Sequence, residues 1–86
     1  MFEEKRVLVT GAAGGIGASI VDKLRNQGAR VAVADLITEG LTAEAHLPGD
    51  LLDANYCDGL ARAASDVLGG LDIVINNAGV ITRGPV

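Results

Sequence analysis

Apolar residues are grouped in two ways along this 86-residue chain, as short runs and as helical stripes. Residues 7–9 (VLV) and 31–34 (VAVA) are consecutive apolar runs, and residues 71–75 (LDIVI) are mostly apolar. Runs of this length are typical of strands that are covered on both faces, as in a parallel sheet. The pattern therefore predicts three strands, of which the first two are buried, with helices on both sides of their sheet.

Between these strands the apolar residues recur at helical spacing. The first stripe consists of Ile16, Ile20, Val21 and Leu24. Gly28 stands where this helix would end. The second segment follows Asp53, a residue type that often caps helix N-termini, and stops at Gly69. Its apolar positions are Cys57, Leu60, Ala61, Ala64, Val67 and Leu68. Each segment is predicted to be a helix that packs one face on the sheet.

The link after the second strand is short. Only residues 36–44 separate it from a further candidate strand at residues 45–47, whereas a parallel crossover usually takes about a dozen residues. We therefore expect one helical turn or an irregular loop in the link. The predicted order is β-α-β, link, β-α-β, which makes this an α/β fold with right-handed crossovers.

Composition and charge narrow the possible functions. Eighty-six residues form at most one small domain, and 49% hydrophobic with 21% charged residues is typical of a globular protein. Seven basic and eleven acidic residues give a net charge of −4 without a basic segment, so no nucleic-acid partner is expected. Cys57 and His46 are the only residues of their types, so neither an intrachain disulfide nor a Cys/His metal set is expected.

Membrane attachment is not expected either. The longest apolar stretches run to about six residues, far from the roughly 20 that span a bilayer. The charged start MFEEKR is not followed by a hydrophobic signal region of sufficient length. The expected location is therefore cytoplasmic.

Glycine is concentrated directly after the first strand, at Gly11, Gly14, Gly15 and Gly17. A strand that passes directly into a helix leaves unpaired N–H groups at the helix start, where the helix dipole also favours an anion. Glycines there permit a tight turn and let phosphate oxygens approach the backbone. The pattern is T-G-x-x-x-G-x-G from Thr10, which differs from G-x-G-x-x-G and from the nucleoside triphosphatase loop G-x-x-x-x-G-K-[ST]. A turn that serves only strand–helix packing is the alternative.

A carboxylate stands at the end of the second strand. Asp35 follows Gly17 by 18 residues, near the offset of about 20 at which an acid accepts hydrogen bonds from the adenosine ribose of a dinucleotide. Such a carboxylate repels a 2′-phosphate, and neither residues 12–15 nor the position after Asp35 holds an Arg or Lys. The combination points to NAD, with an ordinary solvated strand-end acid as the alternative.

Other candidates are less specific. Asp50 follows the candidate strand at residues 45–47 and suits contact with the adenine edge, with Leu51 packed on the ring; an ordinary turn aspartate is the alternative. His46 is expected on the surface or in a strand, and not as a metal ligand. Tyr56 is expected to pack within its helix, because the residue four positions later is Leu60 and not a lysine.

In this order and spacing, the motifs resemble the N-terminal half of a short-chain dehydrogenase/reductase, over essentially the whole chain. They are residues 10–17, Asp35, Asp50-Leu51 and Asn76-Asn77-Ala78-Gly79. The resemblance implies a Rossmann-type doubly wound parallel sheet, of which about four strands are present here in the order 3-2-1-4. It also implies hydride transfer between NAD(P) and a carbinol or carbonyl carbon, with Asp35 favouring NAD(H) over NADP(H).

The resemblance assigns a role to each motif. The pyrophosphate and adenosine ribose are implied to lie on residues 11–17 and Asp35, and the adenine between Asp50 and Leu51. Asn77, Ala78 and Gly79 would line the ribose on the nicotinamide side, while Asn76 would brace the strand end. The full set of implied cofactor-binding residues is Gly11, Ala13, Gly14, Gly15, Ile16, Gly17, Asp35, Leu36, Asp50, Leu51, Asn77, Ala78 and Gly79.

The catalytic residues of the family have no counterpart here. No Tyr-x-x-x-Lys occurs in residues 1–86, and the Ser and Asn that accompany it in the family are not found at matching positions. The fourth strand of the expected sheet would also have a bare edge. We therefore expect residues 1–86 to be the N-terminal part of one NAD(P)-binding domain in a longer protein, inactive when alone.

Two classes of function remain open at this point. The first is an NAD(H)-dependent oxidoreductase, homo-oligomeric at full length, that acts on a small-molecule substrate. Residues 80–83 are similar to some ketoacyl-thioester reductases, so a 3-oxoacyl thioester or another ketone is one substrate class. The second is a non-catalytic dinucleotide-binding module, or an inert fragment of the fold.

Overall fold

The structure is a computed structural model that describes residues 3–77. Over this range the elements are β1 (Arg6–Thr10), α1 (Gly15–Asn26), β2 (Arg30–Ala34), β3 (Ala45–His46), α2 (Ala54–Leu68) and β4 (Ile73–Asn76). Each of them was predicted from the apolar pattern, with bounds that differ by one or two residues. Asp53 is the N-cap of α2, where its side chain accepts a hydrogen bond from the Asn55 N–H.

The described strands form one parallel sheet in the order β3-β2-β1-β4. β1 lies between two neighbours: Val7 is paired with Val31 of β2 on one side and with Ile73 of β4 on the other. Because all pairs are parallel, the carboxyl ends of the strands meet at one edge of the sheet. The predicted strand order 3-2-1-4 is confirmed.

Side chains of the strands alternate between two cores. The core on the α1 face contains Val7, Val9, Ala12, Val21, Leu24, Ala29, Val31 and Val33. The core on the α2 face contains Leu8, Ala32, Ala34, Leu60, Ala64 and Leu68. Successive residues of a strand point to opposite faces, so a run of consecutive apolar residues supplies both cores. One helix on each face makes this a Rossmann-type α/β arrangement, as predicted.

In each helix, fewer residues are buried than the apolar pattern predicted. In α1 the side chain of Ile16, expected in the stripe, is 73% exposed. In α2 the buried residues recur at every fourth position, while Cys57, Ala61 and Val67 are exposed. The expectation that these four residues pack on the sheet was wrong, because the buried core residues of the helices are Val21 and Leu24 in α1 and Leu60, Ala64 and Leu68 in α2.

The link between β2 and β3 is an irregular loop, one of the two forms expected. Glu44 holds its end in place: the Glu44 N–H donates to the Val31 carbonyl at 3.0 Å, and Glu44 Oε1 accepts from the Val31 N–H at 2.8 Å. Arg25 of α1 forms an ion pair with the same carboxylate at 3.1 Å. Burial raises the pKa of Glu44, but hydrogen bonds from Arg25 and Val31 lower it by more, so the net shift is downward. The ionised carboxylate thus connects the loop to α1 and β2.

Two arginines, at the first residues of β1 and β2, bind carbonyl groups at the C-terminal end of α2. Arg6 Nη1 donates to the Gly69 carbonyl at 2.9 Å, and Arg30 Nη1 donates to the Leu68 carbonyl at 3.2 Å. The last turn of α2 has no basic residue, so these guanidinium groups supply the positive charge that its free carbonyl groups favour. Arg6 Nε also pairs with Asp72 Oδ2 at 3.0 Å, just before β4. These contacts of Arg6 and Arg30 lie at the edge of the sheet opposite the carboxyl ends of the strands.

Candidate functional site

Most of the predicted site residues lie at the carboxyl edge of the sheet. Residues 11–14 connect β1 directly to α1, Asp35 follows β2, and Asn77 follows β4. In open parallel sheets this edge is where ligands bind, in the crevice beside the first strand. The structure therefore brings together the glycine turn, the strand-end carboxylate and one asparagine of the N-N-A-G motif.

Two of the four glycines are required by the chain itself. Gly11 has a φ of 67°, in the left-handed region that favours glycine. A Cβ at Gly17 would overlap the Gly11 carbonyl oxygen and lie 2.8 Å from Ala12 Cα. Only glycine at position 17 therefore lets α1 begin so close to the turn, which is the packing role considered as the alternative.

The other two glycines face open space. A Cβ at Gly15 would meet no described atom within 4 Å, and a Cβ at Gly14 would be in ordinary contact with the Gly11 carbonyl oxygen at 3.9 Å. Neither residue has a positive φ. Packing and backbone conformation do not demand glycine at these positions, whereas close approach of a phosphate would.

The first N–H groups of α1 are free to bind an anion. Gly14 is the N-cap, and no side chain within residues 3–77 caps the helix. The Ala18 N–H donates to the Gly14 carbonyl at 2.8 Å, so the N–H groups of Gly15, Ile16 and Gly17 precede the first intrahelical bond. Together with the positive end of the helix dipole, these donors suit a phosphate.

Asp35 is hydrogen-bonded to the glycine turn. Its Oδ2 accepts from the Ala13 N–H at 3.1 Å, and its Oδ1 accepts from the Leu36 N–H at 2.6 Å. Its carbonyl oxygen accepts from the Gly49 N–H at 2.9 Å. The half-buried carboxylate is thereby fixed beside the turn. The Leu36 side chain next to it is 64% exposed.

Polar side chains at the end of β1 and β4 brace this edge. Thr10 Oγ1 donates to Asn76 Oδ1 at 2.9 Å, which agrees with the bracing role expected of Asn76. Asn77 Nδ2 donates to the Gly11 carbonyl at 3.1 Å, and the Asn77 N–H donates to the Thr10 carbonyl at 3.2 Å. Asn77 therefore holds the glycine turn from the β4 side. Ala78 and Gly79, the other predicted residues of this motif, lie outside the described residues.

Asp50 and Leu51 lie in the turn between β3 and α2. Asp50 Oδ1 accepts from the Leu52 N–H at 2.8 Å, and the Asp50 carbonyl accepts from the Asp53 N–H at 2.9 Å. Leu51 is partly buried against the core on the α2 face. These contacts are those of an ordinary turn, and the adenine contact stays a prediction.

The ring of Tyr56 supports the segment that leads to this turn. Its hydroxyl donates to the Leu47 carbonyl, and a Cβ at Gly49 would overlap the ring. Burial raises the pKa of the Tyr56 hydroxyl. Packing was the expected role of Tyr56, but its partner Gly49 was not identified, because no local pattern relates a glycine to a ring seven residues later.

His46 and Cys57 have side chains of the types that take part in metal binding or redox chemistry. His46 is exposed on β3, with Nδ1 3.0 Å from Thr38 Oγ1, and Cys57 is exposed, with Sγ 3.1 Å from the Leu51 carbonyl. In the described range no three His, Cys, Asp or Glu side chains are close enough to hold a metal ion. Among the same residues no helix is long and apolar enough to cross a membrane.

Comparison with known proteins decides the family. Residues 5–86 match the sequence model of the family described as short chain dehydrogenase. The chain belongs to this family. The resemblance seen in the motifs is thereby confirmed, and members of this family bind a nicotinamide dinucleotide.

Individual relatives and solved structures are also similar to this chain. D-threitol dehydrogenase from Mycolicibacterium smegmatis is 40% identical over 95 residues, covering 98% of this chain and 36% of the relative. A short chain dehydrogenase from Burkholderia cenocepacia in complex with NADP has a TM-score of 0.82 at 29% identity, over 96% of this chain and 39% of the other. An NADH-dependent reductase complexed with NAD has a TM-score of 0.78 at 27% identity, over 92% of this chain and 38% of the other. The chain thus spans about a third of the length of the relatives that it matches.

Proposed function

We propose that the full-length protein is an NAD(H)-dependent oxidoreductase that acts on a carbinol or carbonyl carbon. This chain supplies the part that binds the adenosine diphosphate portion of the dinucleotide. The observation behind the proposal is the set of free N–H groups at the start of α1, which have open space at Gly15 and follow the turn whose Ala13 N–H donates to the Asp35 carboxylate. A diphosphate next to a ribose diol requires such a pair of groups side by side.

Each part of the site has a proposed ligand. The N–H groups of Gly15, Ile16 and Gly17 bind the pyrophosphate, and Asp35 accepts hydrogen bonds from the hydroxyls of the adenosine ribose. The exposed side chain of Leu36 provides an apolar wall for the adenine, whose other contacts are proposed at Asp50 and Leu51. Asn77, Ala78 and Gly79 are proposed to reach the ribose on the nicotinamide side.

The preference for NAD is proposed on the basis of charge. A 2′-phosphate on the adenosine ribose would face the half-buried carboxylate of Asp35, which repels it. Residues 11–17 and 36–37 contain no Arg or Lys that could pair with such a phosphate. Solved structures similar to this chain include complexes with NADP and with NAD, so the preference of this chain is argued from Asp35 and the absence of nearby basic residues.

The chemistry is divided between the dinucleotide and the protein. When bound, the dinucleotide donates or accepts the hydride. The residues of this chain bind and orient it, and the Tyr, Lys and Ser of the family, which handle the proton and the substrate oxygen, are proposed to lie outside residues 1–86. A 3-oxoacyl thioester or another ketone is the proposed substrate class, in a cytoplasmic homo-oligomer.

Calorimetric titration of the full-length protein with NADH and NADPH tests the proposal. We expect NADH to bind at least about tenfold more tightly, which corresponds to about 1.4 kcal/mol. Asp35→Ala removes both the acceptor for the diol and the repulsion of the 2′-phosphate, so the ratio of the two affinities falls towards one. Asp66→Ala is the control: it removes an acidic residue that is exposed in the last turn of α2, at the opposite edge of the sheet, and leaves the ratio unchanged. Failure of the wild-type protein to bind either dinucleotide contradicts the proposed function.

A further inference from the structure

The end of β2 accepts hydrogen bonds from three successive N–H groups of the glycine turn. The Ala34 carbonyl accepts from the Gly11 N–H at 2.8 Å and from the Ala12 N–H at 3.4 Å. The third group, the Ala13 N–H, donates to Asp35 Oδ2 at 3.1 Å. Two of these bonds end on a backbone carbonyl and survive any side-chain substitution. The third depends on the side chain at position 35.

The carboxylate of Asp35 is held in one orientation by the backbone. Oδ1 accepts from the Leu36 N–H at 2.6 Å while Oδ2 accepts from Ala13, so one backbone donor fixes each oxygen. A carboxylate oxygen has room for a further donor, so both oxygens remain able to accept from a ribose diol. The carboxylate can therefore join the turn to β2 and bind the diol at the same time.

We propose that Asp35 is a positioning residue for the glycine turn, in addition to its role towards the ribose. It holds the last residue before Gly14 and thereby sets where the N–H groups of α1 stand relative to the end of β2. The inference rests on the proposed function, because the ligand of those N–H groups is the pyrophosphate. It adds that residue 35 affects binding of the pyrophosphate even when the ribose offers no hydroxyl to bind.

An NAD⁺ analogue whose adenosine ribose lacks the 2′- and 3′-hydroxyls separates the two roles of Asp35. If Asp35 acts only through the diol, Asp35→Ala leaves binding of this analogue unchanged. If only its charge matters, Asp35→Ala tightens binding, because a carboxylate near a diphosphate is repulsive. The positioning role predicts the opposite sign: Asp35→Ala binds the analogue about five-fold more weakly, the effect of losing one hydrogen bond.

Asp35→Asn is the matched variant. Its single amide oxygen can accept from the Ala13 N–H, and the charge is absent, so this variant keeps the link to the turn but loses the acceptor for the Leu36 N–H. We expect Asp35→Asn to bind the dideoxy analogue more tightly than Asp35→Ala does, which would be a rescue by a conservative substitution. Asp66→Ala again serves as the control for the loss of an acidic residue and binds the analogue like the wild type.

Amide hydrogen exchange in the full-length protein without dinucleotide gives a second readout. The Ala13 N–H is expected to exchange faster in Asp35→Ala than in Asp35→Asn, the wild type and Asp66→Ala. Unchanged or tighter binding of the analogue by Asp35→Ala, with unchanged exchange at Ala13, overturns the positioning role while NAD binding still stands. Lack of NAD binding by the wild type instead overturns the proposed function, so the two failures are distinct. If Asp35→Ala does not fold, Asp35→Leu, which removes the same acceptors with a side chain of similar shape, takes its place in both measurements.

Discussion

The four glycines of the turn are glycine for different physical reasons. Gly11 needs its positive φ, and Gly17 has no room for a Cβ beside the Gly11 carbonyl. Gly14 and Gly15 are constrained in neither way. The spacing T-G-x-x-x-G-x-G alone cannot separate these cases, because it records only the absence of a side chain. The backbone angles and the neighbouring atoms make Gly15 the position where a side chain would affect a ligand and not the fold.

A side chain at Gly15 is therefore expected to block the dinucleotide and leave the fold intact. We predict that Gly15→Val lowers affinity for NADH at least about tenfold, while the thermal unfolding midpoint changes by no more than a few degrees. The reason is that the new methyl groups enter the open space beside the free N–H groups of α1. Titration with NADH and a thermal melt of the full-length protein measure the two effects.

Gly59→Val is the control for this substitution. Gly59 is an exposed glycine within α2, and a Cβ there also meets no described atom within 4 Å. The same change is therefore made in a helix away from the glycine turn, and NADH binding should be unaffected. Wild-type affinity in Gly15→Val would remove Gly15 from the pyrophosphate site.

At the scale of elements, local sequence patterns predicted all six helices and strands, but they could not predict contacts between residues that are far apart in the sequence. The two runs of consecutive apolar residues indicated strands covered on both faces, and the two apolar stripes indicated helices, because these patterns extend over fewer than 16 residues. The Asp35 offset from Gly17 likewise placed a carboxylate at the glycine turn. The pairing of Arg6 with Asp72 spans 66 positions and follows only from the sheet order, which places β4 beside β1.

The ion pair between Arg6 and Asp72 makes stability depend on pH. Hydrogen bonds from Arg6 hold the pKa of Asp72 at about 2, below its ordinary value near 4. The folded state therefore favours the ionised carboxylate, and the contribution is complete above about pH 4 and is lost as pH falls to 2. We predict that Asp72→Asn lowers the unfolding midpoint at pH 6, and that its difference from the wild type closes between pH 4 and 2.

Thermal melts of both proteins at several pH values check this prediction. The difference at pH 6 should shrink in high salt, because both side chains are about one third exposed. Asp66→Asn, an exposed change near the same end of α2, should shift the midpoint at pH 6 less than Asp72→Asn does. A difference between wild type and Asp72→Asn that stays constant from pH 6 to 2 would exclude the linkage.

At the scale of the whole described structure, one layer of sheet separates two cores. Val7, Val9, Val31 and Val33 face α1, and Leu8, Ala32 and Ala34 face α2. The backbone of β1 and β2 thus carries both cores, yet no buried side chain belongs to both. The turn follows β1, Asp35 follows β2 and Asn77 follows the neighbouring β4, so the site depends on the sheet being rigid when either core is perturbed.

A rigid sheet predicts that mutations in the two cores act independently. Val21→Ala removes about two methylene equivalents from the core under α1, which costs about 1.6 kcal/mol, and Ala64→Gly costs about 1.5 kcal/mol through helix propensity and a lost buried methyl. Because the sheet lies between the two residues, the two losses of unfolding free energy should add to within about 0.5 kcal/mol in the double variant. Urea denaturation of the full-length protein measures them. Val21→Ala combined with Val33→Ala should depart from additivity, since both residues belong to the same cluster of buried side chains. If the coupling energy between Val21→Ala and Ala64→Gly is as large as that between Val21→Ala and Val33→Ala, the sheet transmits packing changes to the site.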